Sequence, residues 1–213
     1  MKLYFVRHGQ TYLNKYKKMQ GWSDSPLTPE GESVAKLTGA RLKDIPFSAV
    51  YTSDLGRTIQ TAKIILEGNH CFDEKDIEPM AEFRETFFGS FEADPGHLVY
   101  AKVAEEVGIP VEKVFSSLSL EEISDVMKEL DPYGEAETSA VFMERLLKGL
   151  NQVTEKNYEQ AEPEILVVTH GNTIRHIVKH IDSSVNVAVE IENASVTIVE
   201  FKDGQYRLEG FNT

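Results

Sequence analysis

Cysteine is nearly absent from this sequence. Cys71 is the single cysteine in 213 residues, so an intramolecular disulfide is impossible and zinc sites built on paired cysteines are excluded. Positive charge is also scarce: 22 Lys and Arg stand against 35 Asp and Glu, a net charge of −13. That field repels a polyanion such as nucleic acid, and an anionic substrate then requires positive charge gathered locally. No apolar run reaches the length of a membrane span, and the chain opens on a strand-like run rather than a basic stretch followed by a long apolar one. The expectation is a protein of the reducing cytoplasm with neither membrane nor nucleic acid as partner. A glycine-rich phosphate loop of the nucleotide-hydrolase type is missing, as are internal repeats and low-complexity segments.

What is present is an alternation of strands and helices on a length that suits one domain with a sizeable core. Lys2-Leu3-Tyr4-Phe5-Val6 is a short run of β-formers ending in Arg7-His8-Gly9-Gln10-Thr11. Thr28 is a candidate N-cap with Pro29 at the first helical position, and the helix is expected to run to about Lys43 with Val34, Leu37 and Leu42 at helical spacing. Phe47–Tyr51 reads as a second strand, with Thr52-Ser53-Asp54 capping a helix over Leu55–Leu66 that carries Arg57 in its first turn. Ile77–Met80 is a short third strand. Ile165–Thr169 is the clearest buried strand; it stops at His170-Gly171-Asn172 and passes into a helix through Ile181. The C-terminus reads as a hairpin, Ser195–Phe201 and Tyr206–Gly210 about a turn at Asp203-Gly204. This order predicts an α/β fold: a three-layer α/β/α arrangement around a mostly parallel sheet.

Residues 90–140 break the rhythm, with twelve acidic residues against three lysines and no arginine. Helical patches at Leu98–Val107, Val111–Leu118 and Leu120–Leu130 suggest a helical insertion over about 90–136. A long amphipathic helix from Glu137 to about Tyr158 follows, with Val141, Leu146, Leu147, Leu150 and Val153 apolar.

In open α/β sheets, ligands bind beyond the carboxyl ends of the strands. Here two strand ends carry His-Gly, at His8-Gly9 and His170-Gly171, a third leads to Arg57, and Arg7 precedes the first histidine. Together they make a pocket for a phosphoryl group, whose spread negative charge suits arginine forks and helix N-termini. Gly9 lets backbone approach a ligand closely. A histidine attacking phosphorus yields a phosphohistidine and divides one hard displacement into two. Taken singly, each residue also has an ordinary reading. A strand-end histidine usually hydrogen-bonds structurally, Arg57 can be a solvated helix residue, and nothing local separates Glu85 from Glu82 or Glu92. His176 and His180 have metal-ligand spacing but no third ligand in register, so they read as a polar helix face. Trp22 and Tyr12 either line the pocket or pack beneath the loop, and Cys71 reads as inert.

The ordered set of motifs resembles the histidine phosphatase superfamily, which includes the cofactor-dependent phosphoglycerate mutases. The resemblance rests on Arg7-His8-Gly9-Gln10-Thr11-Tyr12-Leu13-Asn14, then Gly21, Asp24, Pro26-Leu27-Thr28 and Gly31, then Ser53, Leu55, Arg57, Thr61 and Ala62. It continues through Phe83-Arg84-Glu85 to Phe91-Glu92-Ala93, loosely through Glu137-Thr138 and Arg145, and closes on His170-Gly171. The resemblance implies a phosphoglycerate mutase-like fold with the insertion acting as a substrate-selecting cap. It implies His8 as the phosphorylated nucleophile, its other ring nitrogen held by a backbone carbonyl. Arg7, Arg57 and His170 are implied to bind phosphoryl oxygens, with Asn14, Gly171 and the Asn172 backbone assisting. Glu85 is implied to protonate the leaving oxygen and then activate water, a role that needs a raised carboxyl pKa. Neither cofactor nor metal is implied.

The departures lie beside these groups: Phe91-Glu92-Ala93 stands where Trp-Glu-Gly is usual, Phe83 replaces leucine, and Thr58 replaces alanine. Mutases of the family usually carry E-R-H-Y-G at the acid and are longer. Here Glu85-Thr86-Phe87-Phe88-Gly89 favours a phosphatase acting on a small phosphorylated metabolite. A phosphoglycerate mutase and a non-catalytic phospho-ligand binding module are the alternatives. Substrate identity and oligomeric state are not written in the sequence.

Overall fold

The computed structural model describes residues 1–69 and 76–213; Cys71 lies outside the described residues. Three strands run parallel at the centre of a six-stranded sheet: β1 (Lys2–Arg7), β2 (Phe47–Thr52) and β4 (Glu164–Thr169). With β3 (Ile77–Pro79), β5 (Val196–Lys202) and β6 (Gln205–Gly210), the order is β3-β2-β4-β1-β5-β6. β3 is parallel to β2, while β5 and β6 are antiparallel, closed by a turn in which Asp203 and Gly204 both have positive φ.

Alternation along the strands builds a core on each face. Leu3 and Phe5 of β1 and Ile165 and Val167 of β4 pack under α7 (Ser139–Asn157) and α8 (Gly171–Ile181). Tyr4, Val6, Leu166 and Val168 point the other way, toward α2 (Pro29–Leu42) and α3 (Gly56–Leu66), the one-turn α1 (Tyr12–Lys15) lying between β1 and α2 in the chain. The central strands are buried on both faces, which is why they read as continuous apolar runs. The result is the expected three-layer α/β/α fold.

The insertion contains α4 (Gly96–Val107), α5 (Val114–Ser117) and α6 (Leu120–Leu130). These helices have a core of their own, in which Val99, Val103, Val114, Ile123 and Met127 close on Met19, Phe88 and Phe91. The patch expected over Val111–Leu118 divides into a 3-10 turn at Val111–Lys113 followed by α5.

Three local expectations fail for identifiable reasons. In α2, Leu37 is 65% exposed and Val34 is also exposed, while Gly31, Ala35, Thr38, Gly39 and Leu42 are buried. The buried face is the small one because α2 packs almost backbone to backbone on α3; a Cβ on Gly39 would lie 2.8 Å from the Ile65 carbonyl. In α7, Val141 is exposed and Phe142 takes the buried position. For α3, Thr52-Ser53-Asp54 does not supply the cap. Leu55 is the N-cap without a side-chain bond, Asp54 pairs with Arg84, and Ser53 is drawn inward to a histidine. Among the described residues no helix is long and apolar enough to cross a membrane.

Candidate active site

Parallel pairing in register brings the chemistry to one edge. Arg7 lies opposite Thr169, and Thr52 opposite Val168. His8 N then donates to Thr169 O at 2.9 Å and Ser53 N to Val168 O at 3.1 Å, so the residues just past the ends of β1 and β2 stay tied to β4. The turn after β1 is fixed by close backbone contact. A Cβ on Gly9 would lie 2.6 Å from Gly31 O; the glycine expected to admit a ligand instead admits the first turn of α2.

His8 is buried, and its Nδ1 lies 2.8 Å from Gly9 O. A carbonyl only accepts, so Nδ1 carries the proton and Nε2 keeps its lone pair. Asn193 Nδ2 donates to His8 O at 2.9 Å and steadies the same residue. Burial, with Arg57 and Arg7 nearby, pushes the imidazole pKa well below its ordinary value, which preserves the neutral, nucleophilic form.

Arg57 is 1% exposed and ties the site together. Its Nε donates to His8 Nε2 at 3.3 Å and its Nη2 to His170 Nδ1 at 3.0 Å and Gly21 O at 2.7 Å. Nη1 reaches Ser23 O and Asp24 Oδ1, both at 2.9 Å. The His8 and His170 rings stand 5.2 Å apart. His170 has no exposed surface, and its Nε2 lies 2.8 Å from Ser53 Oγ, which in turn meets Thr58 Oγ1 at 2.8 Å. Both ring nitrogens of His170 are thus engaged inside the protein, behind the pocket wall, and burial beside Arg57 lowers its pKa strongly as well.

A cavity of about 450 Å³ opens over His8, lined by Arg7, Asn14, Gln20, Glu85, Gly171 and Asn172 on the sheet side. Tyr100 and Phe115 from the insertion, with Arg175, Ala188, Glu190 and Ile191, line its outer part. The Arg7 Nη1 donates to Ile191 O, while Nε is buried without a partner among the described residues. That orphan N–H lies 3.6 Å from where a Cβ on Gly171 would stand, at the start of α8. Asn14 lines the cavity while its Oδ1 accepts from Thr11 N at 3.2 Å.

Glu85 is buried, with Oε1 accepting from Thr86 N at 2.9 Å and Oε2 from Asn172 N at 3.0 Å. Its carboxylate supplies the N-terminal partner that the His170 side chain does not give α8. Burial raises its pKa above the ordinary carboxylate value, against the opposing pull of those two N–H groups and of Arg57 and Arg7. Its rivals have other work. Glu82 pairs with Lys148 at the surface, and Glu92 accepts from Gly21 N, Trp22 N, Ser23 N and Phe88 N.

The structure therefore brings Arg7, His8, Asn14, Glu85, Gly171 and Asn172 to one cavity, with Arg57 and His170 immediately behind. The Asn172 N–H, expected to assist phosphate, is held by Glu85 in this arrangement. Trp22 packs beneath the acid, donating from Nε1 to Glu85 O at 3.0 Å and lying 4.8 Å from the Phe87 ring. Tyr12 is exposed beside Tyr16. His176 is buried against Phe142 and His180 is exposed, so the pair forms neither a shared ligand set nor a polar face. Ser53, Asp24 and Glu92 were visible as motif positions without a role. Tyr100, Phe115, Arg175 and Glu190 carry no local signal, because only the tertiary fold places them at the cavity.

A sequence profile described as the histidine phosphatase superfamily (branch 1) matches residues 3–213. The chain is 29% identical over 211 residues to the uncharacterized phosphatase PhoE of Bacillus subtilis strain 168, across 97% of this chain and 92% of that protein. It is 36% identical over 134 residues, 60% of each chain, to the probable phosphoglycerate mutase GpmB of Cronobacter sakazakii. The crystal structure of a phosphoglycerate mutase from Bacillus anthracis superposes with a TM-score of 0.94 at 34% identity, over 100% of this chain and 92% of that one.

Proposed function

The chain belongs to the histidine phosphatase superfamily, and from that premise we propose that it hydrolyses small phosphomonoesters through a phosphohistidine on His8. One observation carries the reading. A neutral histidine with a fixed Nε2 lone pair and a buried Glu85 whose pKa burial raises line the same cavity, beside a buried Arg7 N–H that has no partner among the described residues. His8 Nε2 attacks phosphorus and the P–O bond to the leaving group breaks. Glu85 gives its proton to the leaving oxygen. Water then attacks the phosphohistidine, passes a proton to the Glu85 carboxylate, and returns the electron pair of the P–N bond to His8. Arg7 and Arg57 neutralise the charge that spreads over the phosphoryl oxygens, and His170 holds Arg57 in place from behind. With two arginines supplying that charge, turnover needs no metal or cofactor.

The mouth of the cavity favours hydrolysis, because Glu190 at its rim is 79% exposed and water has access. The similarity to the Bacillus anthracis phosphoglycerate mutase supports the second reading, transfer of phosphate between hydroxyls of one substrate. The net charge of −13 speaks against a nucleic-acid partner and the single cysteine supports a reducing cytoplasm, where the enzyme acts on a phosphorylated metabolite without a membrane partner.

The test is hydrolysis of p-nitrophenyl phosphate in EDTA by the wild type and by His8→Ala. Turnover that vanishes in the variant, with a mass increment of one phosphoryl group on His8 in quenched wild type, is expected. Absence of turnover in the wild type, with isomerisation of 3-phosphoglycerate in the presence of its bisphosphate, would move the assignment to a mutase. Absence of both would leave a binding module.

A further inference from the structure

The segment that carries Glu85 has no strand to hold it. It leaves β3 through a 3-10 turn at Ala81–Phe83 and continues as irregular backbone to Gly89. A catalytic acid aimed from such a segment needs another source of rigidity, since a site that is loose by an ångström loses much of its rate. The main source here is one guanidinium from α7, with Trp22 Nε1 on Glu85 O at 3.0 Å and Thr173 Oγ1 on Arg84 O at 3.2 Å beside it. Arg145 Nη1 donates to Ala81 O at 3.3 Å, Glu82 O at 2.9 Å and Arg84 O at 3.0 Å, and Nη2 donates to Glu85 O at 3.2 Å. The remaining carbonyl of this stretch, Phe83 O, accepts from Thr169 Oγ1 at 2.8 Å.

Glu137 completes the arrangement from the far end of the insertion. Its Oε1 accepts from Arg145 Nε at 3.0 Å and its Oε2 from Arg145 Nη2 at 2.8 Å, a two-bonded fork with both side chains mostly buried. The same Oε2 accepts from Phe87 N at 2.8 Å, and Glu137 N donates to Phe87 O at 2.9 Å. The pair thus grips the backbone on both sides of Glu85, leaving its carboxylate to meet Thr86 N and Asn172 N.

We propose that Glu137 and Arg145 are a positioning pair for Glu85: they set where its carboxylate points, and through it the proton transfer to the leaving oxygen. The proposal rests on the phosphomonoesterase reading for its kinetic consequence, and on geometry alone for its structural one. Arg145 touches neither the cavity nor the reacting atoms. A lysine at that position keeps the charge but has no planar fork to span four carbonyls and a carboxylate.

The experiment compares Arg145→Lys and Glu137→Gln with the wild type on two esters. An alkyl phosphate needs its leaving oxygen protonated, and p-nitrophenyl phosphate barely does. A loss of about tenfold or more in kcat is expected on the alkyl ester, a part of the ~10²–10⁴ that acid–base catalysis contributes, with a much smaller loss on the aryl ester and little change in KM. A purely structural role lowers both esters alike, and that result overturns the proposal.

A second measurement does not require activity. The amides of Thr86 and Asn172 bond the Glu85 oxygens, so their NMR shifts against pH follow its ionisation. Both variants are expected to move or abolish that shared transition while the rest of the spectrum stays dispersed. An unchanged transition overturns the proposal whatever the rates. A wild type inactive on both esters overturns the hydrolytic reading instead, and the amide titration then decides the positioning role by itself. Should Arg145→Lys fail to fold, Glu137→Gln, which removes the charge at the end of the fork and turns an amide nitrogen toward one of its donors, carries the same comparison.

Discussion

Arg57 holds His170 in a single tautomer. An arginine can only donate, so the 3.0 Å contact from Nη2 makes His170 Nδ1 an acceptor and leaves the ring proton on Nε2, where it faces Ser53 Oγ. The chain passes on through Thr58 Oγ1 to the Leu55 carbonyl at 2.8 Å. Thr58, a departure from the usual alanine, is thereby the residue that terminates the proton order behind the site. Seen from the cavity, the second histidine acts on the first through the guanidinium between them.

Arg57→Lys removes that order. A lysine cannot serve His8, His170, Gly21 O, Ser23 O and Asp24 together, and each buried acceptor left without a donor costs about 1–3 kcal/mol. Urea denaturation is expected to give a clearly lower midpoint. Hydrolysis is expected to fall by about 10²–10³, the usual effect of losing one preorganised donor. Wild-type turnover in this variant would show that the fork has no part in the reaction.

Replacing Glu85 by glutamine keeps the shape and removes the transferable proton. First-step rates are expected to fall far more for poor leaving groups than for good ones. Because burial raises the Glu85 pKa, the acid form persists above the ordinary carboxylate range, and the wild-type rate on an alkyl phosphate falls as pH rises through that raised value. Stopped assays across pH are expected to show this alkaline limb in the wild type and its absence in Glu85→Gln. Equal slowing of both ester classes would count against the assignment.

Stability is expected to fall on mild acidification. His8 and His170 have native pKa values below the unfolded value of about 6.5, so below that pH the unfolded chain binds protons that the native one refuses. Each such histidine contributes a limiting slope of about 1.4 kcal/mol per pH unit. Glu85, with its native pKa raised, binds a proton earlier in the native state, a contribution of the opposite sign. Denaturation midpoints between about pH 6.5 and 5 are expected to decline as pH falls in the wild type, with His176, whose pKa burial also lowers, adding to the slope. A flat profile in that window would contradict the burial of the neutral pair.

Glu92→Gln tests the loop that Arg57 and Glu92 hold jointly. The carboxylate accepts four backbone N–H groups, and an amide nitrogen would face some of them donor to donor. A loss of about 1.5–3 kcal/mol is expected, the range for hydrogen bonds to a charged group. Trp22, the single tryptophan, lies in that loop with Arg84 Cζ 4.4 Å from its ring centre, so its emission is expected to shift to the red as the loop loosens. An unshifted spectrum would place the loop's rigidity elsewhere.

Much of this was legible in order of residues. The strand runs at Lys2–Val6 and Ile165–Thr169 were plain because both faces of those strands are buried and their composition is apolar throughout. The α2 face was misread because its contact is made by Gly31, Ala35, Thr38 and Gly39. Small residues that permit close helix packing look like an empty face to an apolar periodicity. The α3 cap was misread for a related reason: Ser53 and Asp54 are good capping residues, but buried partners in His170 and Arg84 outcompeted the helix terminus for them.

By itself the sequence determined the layered fold and the strand ends that carry Arg7-His8 and His170-Gly171. These are local matters, set by burial period and turn chemistry; Glu85 was separated from Glu82 and Glu92 only by the resemblance of its motif. The tertiary structure alone decided that Arg57 lies between two neutral histidines, that Glu85 draws its N–H partners from its own turn and from α8, and that residues from the insertion and the 188–191 loop close the cavity. Those relations join residues up to about 180 positions apart, and what sets them is the exclusion of water: a buried donor or acceptor must find its partner wherever the packed chain supplies one.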